Sequence, residues 1–226
     1  MPAHAVPQVG EAEDEVDRLG GDGRLSGRPG HNAGRTYPAE PLSRSEVATL
    51  LAAFNRGPTG IRNAALVALL YRGGLRIGEA LALRPADVDL ASGTARVLHG
   101  KGDKARTAWL DPDAVAHVAR WVDARRKLGL RNGRLLCGLK GQAWTPQAAR
   151  EALYRAARKA GLEKRVHPHG LRHSHAAELA LEGVPTPVIQ QQLGHANLAV
   201  TDRYLRGITS ADVGRYIRGR QWTEAG

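Results

Sequence analysis

The chain has 226 residues, 42% of them hydrophobic, and a formal net charge of +11, which leaves room for one ordinary domain with a core and calls for a polyanionic partner such as nucleic acid. Its single cysteine, Cys137, excludes an intramolecular disulfide and any multi-cysteine metal site. No apolar run approaches the ~18 residues of a membrane span, and the first residues have neither the basic patch nor the apolar stretch of a signal peptide, so a cytoplasmic protein is expected.

Residues 1–35 mix glycine, proline and charge with almost no large apolar side chains, which predicts a disordered polar tail ahead of one folded domain, 36–226. The tail is acidic, with six acids against three arginines in residues 1–34, so the basic charge belongs to the folded part. Ser43 and Glu46 form a capping box, and Val47, Leu50, Leu51 and Phe54 follow at helical spacing. Pro58 and Gly60 separate that helix from a second, Ile61 to about Tyr71, which Gly73 and Gly74 break. A third helix starts near Arg76 and stops before Pro85. Val88 to Leu90, Ala95 to Leu98 and Thr107 to Leu110 read as short strands, with residues 100–106 at a hairpin tip that carries Lys101 and Lys104.

Helices resume over residues 112–128. Thr145 and Pro146, an N-cap followed by proline at the first helical position, open another to about Ala160. Further helices are expected over 170–181, 185–193, about 198–205 and 210–218. The fold class is therefore mainly α with a small antiparallel β-sheet.

The chemistry concentrates between His167 and Tyr204. His169 and Arg172 are three apart, and on a helix such residues share a face where an imidazole and a guanidinium can grip one phosphate. Tyr204, nine residues after His195, offers a phenol that could attack phosphorus and form a covalent phosphotyrosine. Upstream, Arg76 opens a helix where the dipole is positive, so a cation held there wants an anion. Glu79, three residues on, is either a brace for Arg76 or a histidine, or an ordinary helix acid. Lys101 lies between two glycines, and a lysine suits a general acid because crowding by cations lowers its pKa; Lys104 is its rival. His169 and His173, four apart, also have the spacing of a zinc pair, but no glutamate lies between them and no cysteine is nearby. No metal or cofactor is expected, and His167, His173 and His175 read as packing or backbone-contact residues.

In order and in local context, Arg76, Lys101, His169, Arg172, His195 and Tyr204 resemble the catalytic residues of the tyrosine recombinases, or phage integrases, over roughly residues 38–218. The resemblance implies that family's catalytic domain in a short form, without the N-terminal helical domain that most members carry. It implies site-specific recombination of double-stranded DNA through a 3′-phosphotyrosine, by a homo-oligomer (a tetramer) on synapsed DNA, with accessory DNA-bending proteins. It also implies that the segment after Tyr204 passes to a neighbouring protomer. The alternatives are a DNA-binding remnant without recombination and relaxation of DNA in the manner of a type IB topoisomerase.

Overall fold

The computed structural model describes residues 40–98, 105–130 and 133–194. The expected tail, the hairpin tip with Lys101 and Lys104, and the two helices expected after His195 lie outside the described residues. Among the described residues the order is α1 (Arg44–Ala52), α2 (Pro58–Tyr71), α3 (Ile77–Ala82), a 3₁₀ turn (Pro85–Asp87), β1 (Val88–Asp89), β2 (Thr94–Val97), β3 (Arg106–Trp109), α4 (Pro112–Lys127), α5 (Pro146–Lys159), α6 (Pro168–Leu181) and α7 (Thr186–Leu193). The mainly helical class with a small antiparallel sheet is what the sequence predicts. No described helix is long and apolar enough to cross a membrane.

Local chemistry explains most boundaries. Ser43 caps α1, its hydroxyl accepting from the Glu46 N–H while the Glu46 carboxylate accepts from the Ser43 N–H at 2.7 Å. Asp111 and Thr145 cap α4 and α5 by a single bond each, their side chains accepting from the Ala114 and Ala148 N–H. Most boundaries fall within a residue of expectation, and two helix starts differ by more, both at a proline. Pro58 begins α2 instead of preceding it, because at the first helical position its missing N–H has no partner to lose. Pro168 likewise begins α6 two residues early, behind His167.

The sheet runs β1-β2-β3, antiparallel throughout, with Ala95 opposite Val88 on one side and Ala108 on the other. Helix α2 is central: Leu66, Leu69 and Leu70 are fully buried, and it packs against α4 and α6. The main core takes in α1 to α5, the sheet and the start of α6. A smaller cluster of Ala176, Ile189 and Leu193 joins α6 to α7. So small an apolar contact leaves polar bonds to fix where α7 lies, and those bonds lead to the site.

Candidate active site

After α2 the chain reverses through Gly73 and Gly74. Gly74 has φ +61°, and a Cβ there would lie 2.9 Å from the His175 ring and 2.6 Å from Leu193, so glycine is needed for both conformation and space. The turn delivers Arg76 to the N-cap of α3, at φ −72°, ψ 154°. The anion that a cation at this end requires is Glu79. Its carboxylate accepts from the Arg76 backbone N–H at 2.8 Å and from Arg76 Nη1 at 2.9 Å. Glu79 is thus a brace for Arg76, the first of the two readings its spacing allowed.

Glu79 has a second partner that the sequence did not flag. Arg106, the first residue of β3, donates Nη1 and Nη2 to the two carboxylate oxygens, each at 2.8 Å, as a parallel fork. Burial by itself would raise the Glu79 carboxyl. The Arg106 fork, the Arg76 N–H and the two guanidinium charges outweigh burial and hold it at about 2. Glu79 is therefore ionised at any working pH and keeps both arginines in place.

The first turn of α6 is built by histidine. His167 takes the N-cap position, and its Nδ1 accepts from the Gly170 N–H at 3.0 Å, which requires a neutral ring with its proton on Nε2. Burial first, then the charge of Arg165, pushes this imidazole down to about 4, consistent with that duty. Its ring lies parallel to that of His169, with centroids 6.5 Å apart. His169 is exposed on this turn, whereas Arg172, one turn on, is 2% exposed. The pair therefore spans the boundary between surface and interior. Arg172 donates Nη1 to the Gly74 carbonyl and Nη2 to the Leu193 carbonyl, the latter at 2.7 Å. Gly74 is two residues before Arg76, and Leu193 two before His195. His173 and His175 are buried, as packing residues would be. Among the described residues no three His, Cys, Asp or Glu side chains group as a metal site would need.

Helix α7 is fastened to β3 by Gln192. Its amide accepts from the Trp109 N–H at 3.0 Å and donates to the Trp109 carbonyl at 2.8 Å, pairing backbone on the open edge of the sheet. It also donates to the Gly73 carbonyl at 3.3 Å. Arg106 Nε donates to the Gln192 carbonyl at 3.4 Å. The structure thus ties Arg172 on α6 to the turn before Arg76 and to the end of α7 that leads to His195, while His169 lies exposed one turn before Arg172. Lys101, His195 and Tyr204 themselves lie outside the described residues.

The family model described as "Phage integrase family" matches residues 40–209. A tyrosine recombinase of Thermosipho africanus is 34% identical over 165 residues, 73% of this chain and 56% of its own length. Tyrosine recombinase XerC of Rhodospirillum centenum is 39% identical over 168 residues, 73% of this chain and 49% of its own. The chain thus spans about half the length of the curated relatives it matches. Among solved structures, XerA recombinase superposes with a TM-score of 0.70 at 28% identity, covering 81% of this chain and 64% of that one. XerH recombinase bound to its palindromic difH substrate after cleavage gives 0.65 at 28% identity, covering 80% and 52%.

Proposed function

The chain belongs to the phage integrase family of tyrosine recombinases, and on that premise we propose that it carries the catalytic domain of a site-specific DNA recombinase. The domain spans 36–226 behind a polar tail, 1–35. The observation that carries the proposal is the position of Arg172. One buried guanidinium ties the turn before Arg76 to the Leu193 carbonyl at the end of α7, which supports a site built from segments far apart in sequence.

The reaction breaks a phosphodiester without water. The Tyr204 oxygen attacks phosphorus, the bond from phosphorus to the 5′-oxygen breaks, and a 3′-phosphotyrosine and a free 5′-hydroxyl result. His169 takes the phenol proton and Lys101 supplies the proton to the leaving oxygen. Arg76, Arg172 and His195 stabilise the charge on the non-bridging oxygens of the pentacoordinate state. Because the tyrosyl ester preserves the bond energy, attack by a 5′-hydroxyl of another strand rejoins DNA with no nucleotide cofactor. The substrate is double-stranded DNA, and strand exchange takes place in a tetramer on synapsed sites with the help of DNA-bending proteins. In its solved structure XerH recombinase is itself bound to its difH DNA substrate, which supports DNA as the partner.

The test is a nicked duplex drawn from the DNA flanking the protein's own gene, in which cleavage traps the covalent adduct. The wild type is expected to form the adduct in EDTA. Tyr204→Phe should abolish it and bind the duplex with near-normal affinity, since one hydroxyl adds little to a phosphate-dominated interface. An adduct with the Phe variant assigns the nucleophile elsewhere.

A further inference from the structure

We propose that Arg106 is a positioning residue for this site: it locks Glu79 against Arg76 and, through the same side chain, fixes the end of α7 from which the chain continues to His195. The inference rests on the recombinase reading for what the site does, and on geometry for what Arg106 does. Its guanidinium reaches two places at once. Toward α3 it makes the parallel fork to Glu79, whose other partner is Arg76. Toward α7 its Nε donates to the Gln192 carbonyl, one of those a helix leaves unpaired at its C-terminal end, where a cation is also favoured by the helix dipole.

The space for this reach comes from Gly194. That residue ends α7 at φ +66°, and a Cβ on it would lie 2.5 Å from Arg106 Cδ and 2.7 Å from Nε. Glycine is required there for the left-handed turn and again for the passage of the Arg106 stem. Arg106 is 10% exposed at its side chain, against 33% for Arg76, so its charge is spent inside the protein while Arg76 keeps a face toward solvent. Lysine could supply the charge but not two parallel bonds and a third at Nε.

Among the described residues, the charged groups that face Glu79 are Arg76, at the N-cap of its own helix, and Arg106 from β3; α7 presents the neutral Gln192 carbonyl to the same guanidinium. Without Arg106, burial raises the Glu79 carboxyl against Arg76 alone. Arg76 then loses its brace as the carboxyl gains a proton.

Two variants, Arg106→Gln and Arg106→Lys, test this in the full chain. Without DNA, the Glu79 side-chain carboxyl carbon, assigned with Glu79→Gln, is followed by NMR against pH. It should titrate upward by roughly one unit or more in Arg106→Gln, with a smaller shift in Arg106→Lys. The Arg76 Nε resonance should move along the same curve. With the nicked duplex, the rate of single-turnover cleavage should fall on the order of 10²-fold in Arg106→Gln, because Arg76 and the end of α7 lose a fixed position. Duplex affinity should stay within about threefold, since the Arg106 guanidinium is committed to Glu79 and to the Gln192 carbonyl. An unmoved Glu79 titration in either folded variant overturns the proposal, as does wild-type cleavage by Arg106→Gln at every pH. A wild type that forms no adduct overturns the recombinase reading instead, and the titration still decides the brace.

Discussion

Glu79 holds Arg76 and Arg106 at 5% side-chain exposure, and Glu178 holds Arg72 and Arg44 at 11%. The two arrangements resemble each other in kind and differ in the charge they leave. At Glu79, two guanidiniums meet one carboxylate. At Glu178, Arg72 also pairs with Asp111 at 3.0 Å and Arg44 with Glu182, so two guanidiniums meet three carboxylates. Tyr71 adds a neutral donor to Glu178 at 2.7 Å. Among the described residues one cluster therefore retains a positive charge, partly open to solvent at Arg76, where the proposed mechanism places a phosphate. The other uses up its positive charge in joining α1, α2 and α6. On the proposed function, the cluster that leaves no cation over serves the fold and the one that leaves a cation over serves a ligand.

The sharpest way to break this comparison is to neutralise each carboxylate in turn. Glu79→Gln leaves Arg76 and Arg106 facing each other with no counter-charge. Cleavage of the nicked duplex should fall on the order of 10²-fold as Arg76 moves off position. Stability should fall by about 3 kcal/mol, as when one member of a buried pair is removed. Glu178→Gln should do the reverse. Arg72 keeps Asp111 and Arg44 keeps Glu182, so about 1–3 kcal/mol of stability is lost in urea unfolding while cleavage stays near normal. Equal loss of cleavage in the two variants would erase the distinction.

Acid sharpens the comparison on a second axis. The Glu79 carboxyl is lowered on folding from 4.5 to about 2, so the stability it contributes is complete above pH 4.5 and is lost as pH falls toward 2. His175 lies near the other cluster, buried beside the Gly74 backbone, with neither ring nitrogen hydrogen-bonded among the described residues. Burial first, then the charges of Arg72 and Arg172, pushes it from 6.5 down to about 4. The unfolded chain therefore binds the extra proton between those values, and stability falls as pH drops from 6.5 toward 4. At about 1.4 kcal/mol per pKa unit this amounts to on the order of 3 kcal/mol. His175→Leu should roughly halve the fall of the urea midpoint between pH 7.5 and 5, since the His167 imidazole, lowered to about 4 as well, keeps its share, and should stabilise the protein by about 1–3 kcal/mol at pH 5 by removing an unsatisfied polar ring. A midpoint that falls as steeply in the variant as in the wild type would assign that window to His167 and His117.

These clusters also show what the sequence can and cannot reveal. The caps at Ser43 and Thr145 and most of the helices were legible because their signals are local. Glu79 was legible as one of two readings, since it lies three residues from Arg76. Arg106 was not. It closes a basic run that reads as a hairpin tip, and its partner lies 27 residues away across the start of the sheet. The partners of Glu178 are 106 or more residues distant, beyond any periodicity. His167 was missed as a cap because imidazole is not among the usual capping groups, and its early helix start was hidden with it. Lys101, His195 and Tyr204 were identified by resemblance to a family.

The smallest predicted effect concerns two tyrosines in opposite surroundings. Burial first, and its bond to Glu178 second, hold the Tyr71 phenol well above its ordinary range, so it remains a donor at every working pH. A nucleophilic phenol such as the one proposed at Tyr204 needs the reverse, a cationic surround that favours the phenolate. Tyr71→Phe deletes one donor and keeps the ring in its 5% exposed slot on α2. Glu178 still accepts from Arg72 and Arg44, so no buried charge is stranded. The expected loss is about 0.5–1.5 kcal/mol of stability in urea unfolding, with cleavage unchanged. Glu178 is on α6, the helix that also carries Arg172 six residues earlier. If Tyr71→Phe slowed cleavage by an amount comparable to Glu79→Gln, the Glu178 cluster would be setting the position of Arg172. The separation of a fold-serving carboxylate from a ligand-serving one would then fail.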